Sequence, residues 1–208
     1  CLVGSEMCIR DSVYSVYQEC LKGMPSDKPI RVAVPVNLRP YFASNTTKNF
    51  FVMVSAEFHP TKEDYTFEEI LQTVHESLRA QINKENLEKL FSYNVSNEKV
   101  WIARIAPLFL KNMAMKMVYT QSALANTTTI TNIGNITVED IYKPYVEMFH
   151  AFLAMSKGQH IKGTICSYGD TLVFTFSYDL QDTGIQKAFF RKIAADGIEV
   201  QLDSNCGL

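Results

Sequence analysis

Residues 30–38 read IRVAVPVNL, an alternating run rich in β-branched side chains, and this pattern constrains the fold more than any other in the chain. A run of period two places alternate side chains on opposite faces of an extended strand, and no helix uses that spacing well. Residues 50–58 (FFVMVSAEF) repeat the pattern after a polar loop at 39–49, so two strands lie close together in sequence. Thr66 followed by Glu69 is a capping box, and Phe67, Ile70, Leu71, Val74, Leu78 and Ile82 then mark one face of a helix reaching about residue 83. A strand pair feeding an amphipathic helix requires a sheet with helices packed against it.

The remaining segments extend this alternation. Val13, Val16, Tyr17, Cys20 and Leu21 have helical spacing, and a turn over residues 23–29 ends that helix. A short helix is expected around 87–91, then a long one over 98–124 with a kink at Pro107. Arg104, Lys111 and Lys116 interrupt the apolar run, so it lacks the roughly 20 uncharged residues of a membrane span and is read as a core helix. Residues 127–138 are β-prone; 145–154 fit strand or helix, with strand preferred. Residues 161–168 and 171–178 flank Gly169-Asp170, a two-residue hairpin turn. Asp182 or Thr183 caps a helix bearing Ile185, Phe189, Phe190 and Ile193, Gly197 stops it, and residues 198–202 are read as a closing strand.

Composition narrows the function classes. The 208 residues include 20 basic and 22 acidic side chains, and no Lys/Arg block is present, so no electrostatic footprint for nucleic acid or anionic lipid exists. The five cysteines, at positions 1, 8, 20, 166 and 206, show neither CxxC spacing nor an even count. That usage favours reduced thiols in a cytoplasmic protein, with no zinc site. Asn-x-Ser/Thr sequons at Asn45, Asn94, Asn126 and Asn135 are composition without a secretory signal.

Residues 1–12 (CLVGSEMCIRDS) lack strand or helix periodicity and resemble a translated sequencing adaptor of the kind found on metagenomic proteins. They are expected to be a non-native leader, residues 13–208 being the protein proper. An adaptor joined in frame implies native sequence upstream, so the chain is read as a C-terminal fragment.

Four features occur in a telling order: VPVNLR ending at Arg39, a strand opening Asn49-Phe50-Phe51, a TNIG turn at Thr131, Asn132, Ile133 and Gly134, and a late FFRKIAADGI helix. In that order they resemble the C-terminal lobe of condensation-domain-like, CoA-dependent acyltransferases, most closely the alcohol O-acetyltransferase-like group. The resemblance covers residues 13 to about 203. It implies an α+β fold, a two-layer sandwich whose mixed β-sheet carries helices on one face, as one lobe of a chloramphenicol-acetyltransferase-like fold. The N-terminal lobe would be missing and the substrate tunnel would run between the two.

The resemblance also implies an activity: transfer of an acyl (acetyl) group from a CoA thioester, acyl-CoA serving as co-substrate with no bound cofactor and no metal, to a small alcohol or amine. The alternatives are a peptide-synthetase-type condensation domain using phosphopantetheine thioesters on a carrier protein, and a non-catalytic binding or scaffold module of the same fold. The family's HHxxxD base is absent, since His59, His75, His150 and His160 are isolated, so no catalytic residue is assigned in this fragment. By resemblance, Arg39 supports the active site by pairing with the Asp of that motif, against a plain strand-end arginine in solvent. Thr131, Asn132 and Gly134 match the turn bordering the tunnel, where Asn either binds substrate or braces the turn, and Asn49 matches the lobe interface. Met113, Met115 and Met117 line an acyl channel or a helical core. Tyr168, Tyr178 and Asp179 are read as a strand face, and Cys166 as a small core residue. A lobe built to pack on a sister lobe exposes an apolar face, so the chain alone is expected to aggregate or dimerise.

Overall fold

The computed structural model describes residues 2–99, 105, 107–156 and 158–205. Its centre is a five-stranded mixed sheet built from β1 (Ile30–Asn37), β2 (Phe51–Phe58), β3 (Thr128–Asn135), β4 (Ile161–Tyr168) and β5 (Thr171–Tyr178), in the order β2-β1-β3-β4-β5. β1 is antiparallel to β2 and parallel to β3; β3 is parallel to β4, which forms an antiparallel hairpin with β5. Gly169 takes the positive φ, +57°, that the two-residue turn of this hairpin requires.

Helices α1 (Leu2–Leu21), α2 (Phe67–Gln81) and α5 (Gly184–Ala195) cover one face of the sheet, and α3 (Lys84–Lys99) follows α2. The core lies between these layers. Ile30, Val32 and Val34 of β1, Val52, Val54 and Phe58 of β2, and Ile130 and Ile165 meet Val13, Val16 and Tyr17 of α1, Ile70, Val74 and Leu78 of α2, and Phe189 and Ile193 of α5. Phe174 and Phe176 of β5 pack on Phe189 with centroids 4.4 and 5.2 Å apart. This is the expected α+β two-layer architecture.

The capping box forms: the Glu69 N–H donates to Thr66 Oγ1 at 3.3 Å, and the Thr66 N–H donates to Glu69 Oε2 at 2.9 Å. α2 also protects a sheet edge. Gln81 accepts from the Ser55 N–H and donates to the Ser55 carbonyl, and Ser77 Oγ accepts from the Glu57 N–H, so outward backbone groups of β2 are satisfied by side chains.

Five expectations are corrected. Residues 2–12 are helical and continue α1, with Cys8, Ile9 and Asp11 buried. Ile9, Val13, Val16 and Tyr17 share one helical face, and no Pro or internal Gly after Gly4 stops propagation. The short helix at 87–91 extends over α3, because the polar residues beyond Phe91 contain no breaker. Of the helix expected over 98–124, residues 98–99 belong to α3, residues 108–124 form α4 (Leu108–Leu124) after Pro107, and residues 100–104 and 106 lie outside the described residues. α4 is not a core helix: Leu108, Phe109, Met113, Met115 and Met117 are all exposed. Residues 145–154 form no ladder strand; a 3-10 turn, Lys143–Tyr145, leads into an extended stretch. Residues 198–202 also pair with no strand; their alternation satisfies local propensity, but they join neither edge of the sheet.

Candidate functional site

Because β1 and β3 run parallel, with Val32 opposite Thr128 and Ala33 opposite Thr129, their carboxyl ends emerge side by side. β2 is antiparallel to β1 with Phe51 opposite Asn37, so its start lies at the same end. This topology gathers Arg39, Asn49, Thr131, Asn132 and Gly134 at one end of the sheet, although 95 residues separate Arg39 from Gly134 in the chain. Carboxyl ends of parallel strands are where open sheets place ligands, since the following loops diverge there.

Four of the five have a defined local setting, and Thr131 is placed by its register opposite Thr164. The Arg39 N–H donates to Asn37 Oδ1 at 3.1 Å, and Arg39 Nη2 donates to the carbonyls of Thr46 and Lys48 at 3.2 and 3.0 Å. The guanidinium therefore staples its own loop through Nη2, and the residue as a whole is exposed. Asn49 is exposed at the loop's end, and the next residue, Phe50, anchors it: the Phe50 carbonyl accepts from the Leu38 N–H, and its ring meets Phe91 edge-on at 5.4 Å. The expected TNIG turn is instead a bulge inside β3: Asn132 Oδ1 accepts from the Gly134 N–H at 2.8 Å and braces it. Gly134 holds φ at +89°, and the β3–β4 register shifts between Asn132 and Gly134. That bulge turns Ile133 outward to 54% exposure.

The reading of the sequence missed the open face of the sheet beside this end. Phe51 and Met53 of β2 project away from the helices and stand 46% and 44% exposed. Register sets them beside Asn37 and Pro35. The signal was legible: residues 51–54 (FVMV) are apolar at every position, whereas a strand with one wetted face alternates with polar residues.

Among the described residues the four histidines lie apart from this end and from one another. His59 Nε2 lies 3.5 Å from Glu57, His160 Nδ1 lies 2.9 Å from Asp179, His75 bonds Glu6, and the His150 ring stacks on Phe152. Burial pushes the Cys8 thiol up to about 12 and raises Cys166, so neither is a ready thiolate. Among the described residues no group of His, Cys, Asp and Glu could hold a metal, and no helix is long and apolar enough to cross a membrane. Two shallow concavities, one lined by Pro25, Asp27, His59 and Thr61 and one by Met113, Met117 and Gln121, include none of the five residues above.

No protein family and no curated protein matches the sequence. Among solved structures, the chain is similar to the starter condensation domain of rhizomide synthetase RzmA, with a TM-score of 0.50 and 10% identity. The likeness covers 96% of this chain and 45% of that one. At this identity it shows the fold: a lobe of condensation-domain type. The chain spans a little under half the length of the structure it matches.

Proposed function

We propose that the chain is one lobe of an acyltransferase that moves an acyl group from a thioester to an alcohol or amine. The observation carrying this reading is the coincidence of two independent lines. The fold is that of a condensation-domain lobe, and the motif residues Arg39, Asn49, Thr131, Asn132 and Gly134 all fall at one end of its sheet, beside an uncovered apolar face. In this reading residues 13–208 are the C-terminal lobe, residues 1–12 are a non-native leader that extends α1 and packs Cys8 and Ile9 on the core, and a second lobe closes the tunnel over Phe51, Met53 and Ile133.

The base that deprotonates the acceptor belongs to the other lobe, on an HHxxxD motif. Arg39, held by its own loop carbonyls, presents Nε and Nη1 to the Asp of that motif and fixes its shape through charge-assisted hydrogen bonds. The Asn132–Gly134 bulge forms a wall along which the thioester lies, Gly134 permitting close backbone approach. An acyl-CoA is the donor; a phosphopantetheine thioester on a carrier protein is the second reading, favoured by the likeness to a synthetase condensation domain.

The test is to recover the gene upstream of codon 13 and assay its intact product for thioester consumption with acyl-CoA and with carrier-bound acyl groups. An upstream HHxxxD together with transfer to an alcohol or amine is the expected result. An upstream lobe without those histidines, or an intact protein that leaves both thioesters untouched, would instead identify a binding module.

A further inference from the structure

The helix-free face of β3, β4 and β5 is more polar than that of β1 and β2; it is buried along β4 and half-buried on the flanking strands. Gly163 and Ile165 point into the core, where a Cβ on Gly163 would meet the Phe174 ring at 2.9 Å, so Lys162, Thr164 and Cys166 point the other way. Register sets Thr129 and Thr131 of β3 on one side of Lys162 and Thr164, and Ser177 and Thr175 of β5 on the other. A strap of extended chain crosses this floor. The Phe149 carbonyl accepts from the Cys166 thiol at 3.1 Å, and the Ala154 carbonyl and Ser156 Oγ accept from Lys162 Nζ at 2.8 and 2.5 Å.

The strap leaves two hydroxyls without a partner and one ammonium without a counter-charge. Lys162 is only 8% exposed, yet no carboxylate among the described residues lies within ion-pair distance of it. Two of its three N–H groups are engaged by the strap. Thr164, 2% exposed, and Thr175 directly across from it both carry a buried hydroxyl with no hydrogen-bond partner. Buried charges are ordinarily paired and buried hydroxyls ordinarily bonded, so two orphaned hydroxyls beside a lysine with no counter-charge mark a missing anionic acceptor. A neutral hydroxyl or amide would answer the threonines without compensating the ammonium. A carboxylate does both, offering one oxygen to the lysine and the other to the threonines.

We propose that Lys162, Thr164 and Thr175 bind the carboxylate of the acceptor substrate, which is therefore a hydroxy or amino acid. One ligand oxygen answers the third Lys162 N–H, and the other accepts from the threonine hydroxyls. The word acceptor rests on the acyl-transfer reading, because Thr131 of the proposed tunnel wall pairs in register with Thr164; the carboxylate site does not.

The experiment is an NMR titration of the full chain, carrying labelled threonine methyls, with butyrate and with its neutral isostere butyramide. Saturable shifts at Thr164 and Thr175 with butyrate, at least about tenfold weaker with butyramide, are expected. Lys162→Met weakens butyrate binding by about tenfold or more, and Thr175→Val, at the half-buried outer strand, weakens it without disturbing the lysine's packing. Equal shifts from both probes, or unchanged butyrate binding in Lys162→Met or in Thr175→Val, overturns the site and leaves a buried water as the missing acceptor. Butyrate binding with no acyl transfer by the intact protein overturns the functional reading alone. Transfer without butyrate binding overturns this inference alone.

Discussion

Asp11 faces the layer between α1 and α5, and both of its carboxylate oxygens are buried without a partner. Burial pushes its carboxyl up to about 6, against the pull of Lys192. Because the folded value lies above the unfolded one, the folded state prefers the protonated form; the penalty is present in full above pH 6 and is relieved as pH falls from about 6 toward 4. The expected result is a chain more stable at pH 5 than at pH 7.5. Asp11→Asn should raise stability at pH 7.5 by about 2–3 kcal/mol and flatten this pH dependence, read by urea denaturation at both pH values. Gly163 makes the opposite case. A methyl there meets Phe174 at 2.9 Å and Ile130 at 3.2 Å, both packed in the core, so Gly163→Ala is expected to cost about 1–3 kcal/mol in the same measurement.

At the scale of elements, the pairing of α2 with β2 closes one edge of the sheet. Gln81 bonds both the N–H and the carbonyl of Ser55, so Gln81→Ala should lose about 1–2 kcal/mol and free an edge-strand segment for intermolecular pairing. Thermal melts followed by light scattering would show both effects, and a variant that melts like the parent would contradict this role. α4 presents the reverse situation. Met113 and Met115 lie about 200° apart around the helix axis, yet both are about two-thirds exposed, and only Lys111 and Lys116 carry charge along the helix. Helices apolar on all sides are ordinarily enclosed by other elements. Here the apolar run was legible in the sequence, but whether its surroundings are core or solvent depends on which other segments reach it.

For the whole molecule, the uncovered sheet face and α4 together predict self-association. The chain expressed alone should elute from size-exclusion chromatography as a dimer or larger species, and replacing Met113, Met115 and Met117 by Gln should shift it toward monomer without lowering its melting temperature. A cooperatively folding monomer from the unmodified chain would argue against an interface on these surfaces. The strands, the α2 capping box, the β4–β5 hairpin and the helix ending before Gly197 were each readable locally, because their alternation, caps and turn residues act within a few neighbours. Segments 145–154 and 198–202 carried comparable β propensity and formed no ladder. A strand exists only when a neighbour accepts its hydrogen bonds, and that condition is set across the sheet rather than along the chain. The same distinction divides the site. Sequence alone determined which residues could matter, through the VPVNLR and TNIG motifs that contain Arg39, Thr131, Asn132 and Gly134. Only the tertiary structure decided that Arg39 holds its own loop, that Asn132 braces a bulge, and that Lys162, Thr164 and Thr175 share one buried floor, because each of those facts depends on strand register and on a chain crossing that local pattern does not encode.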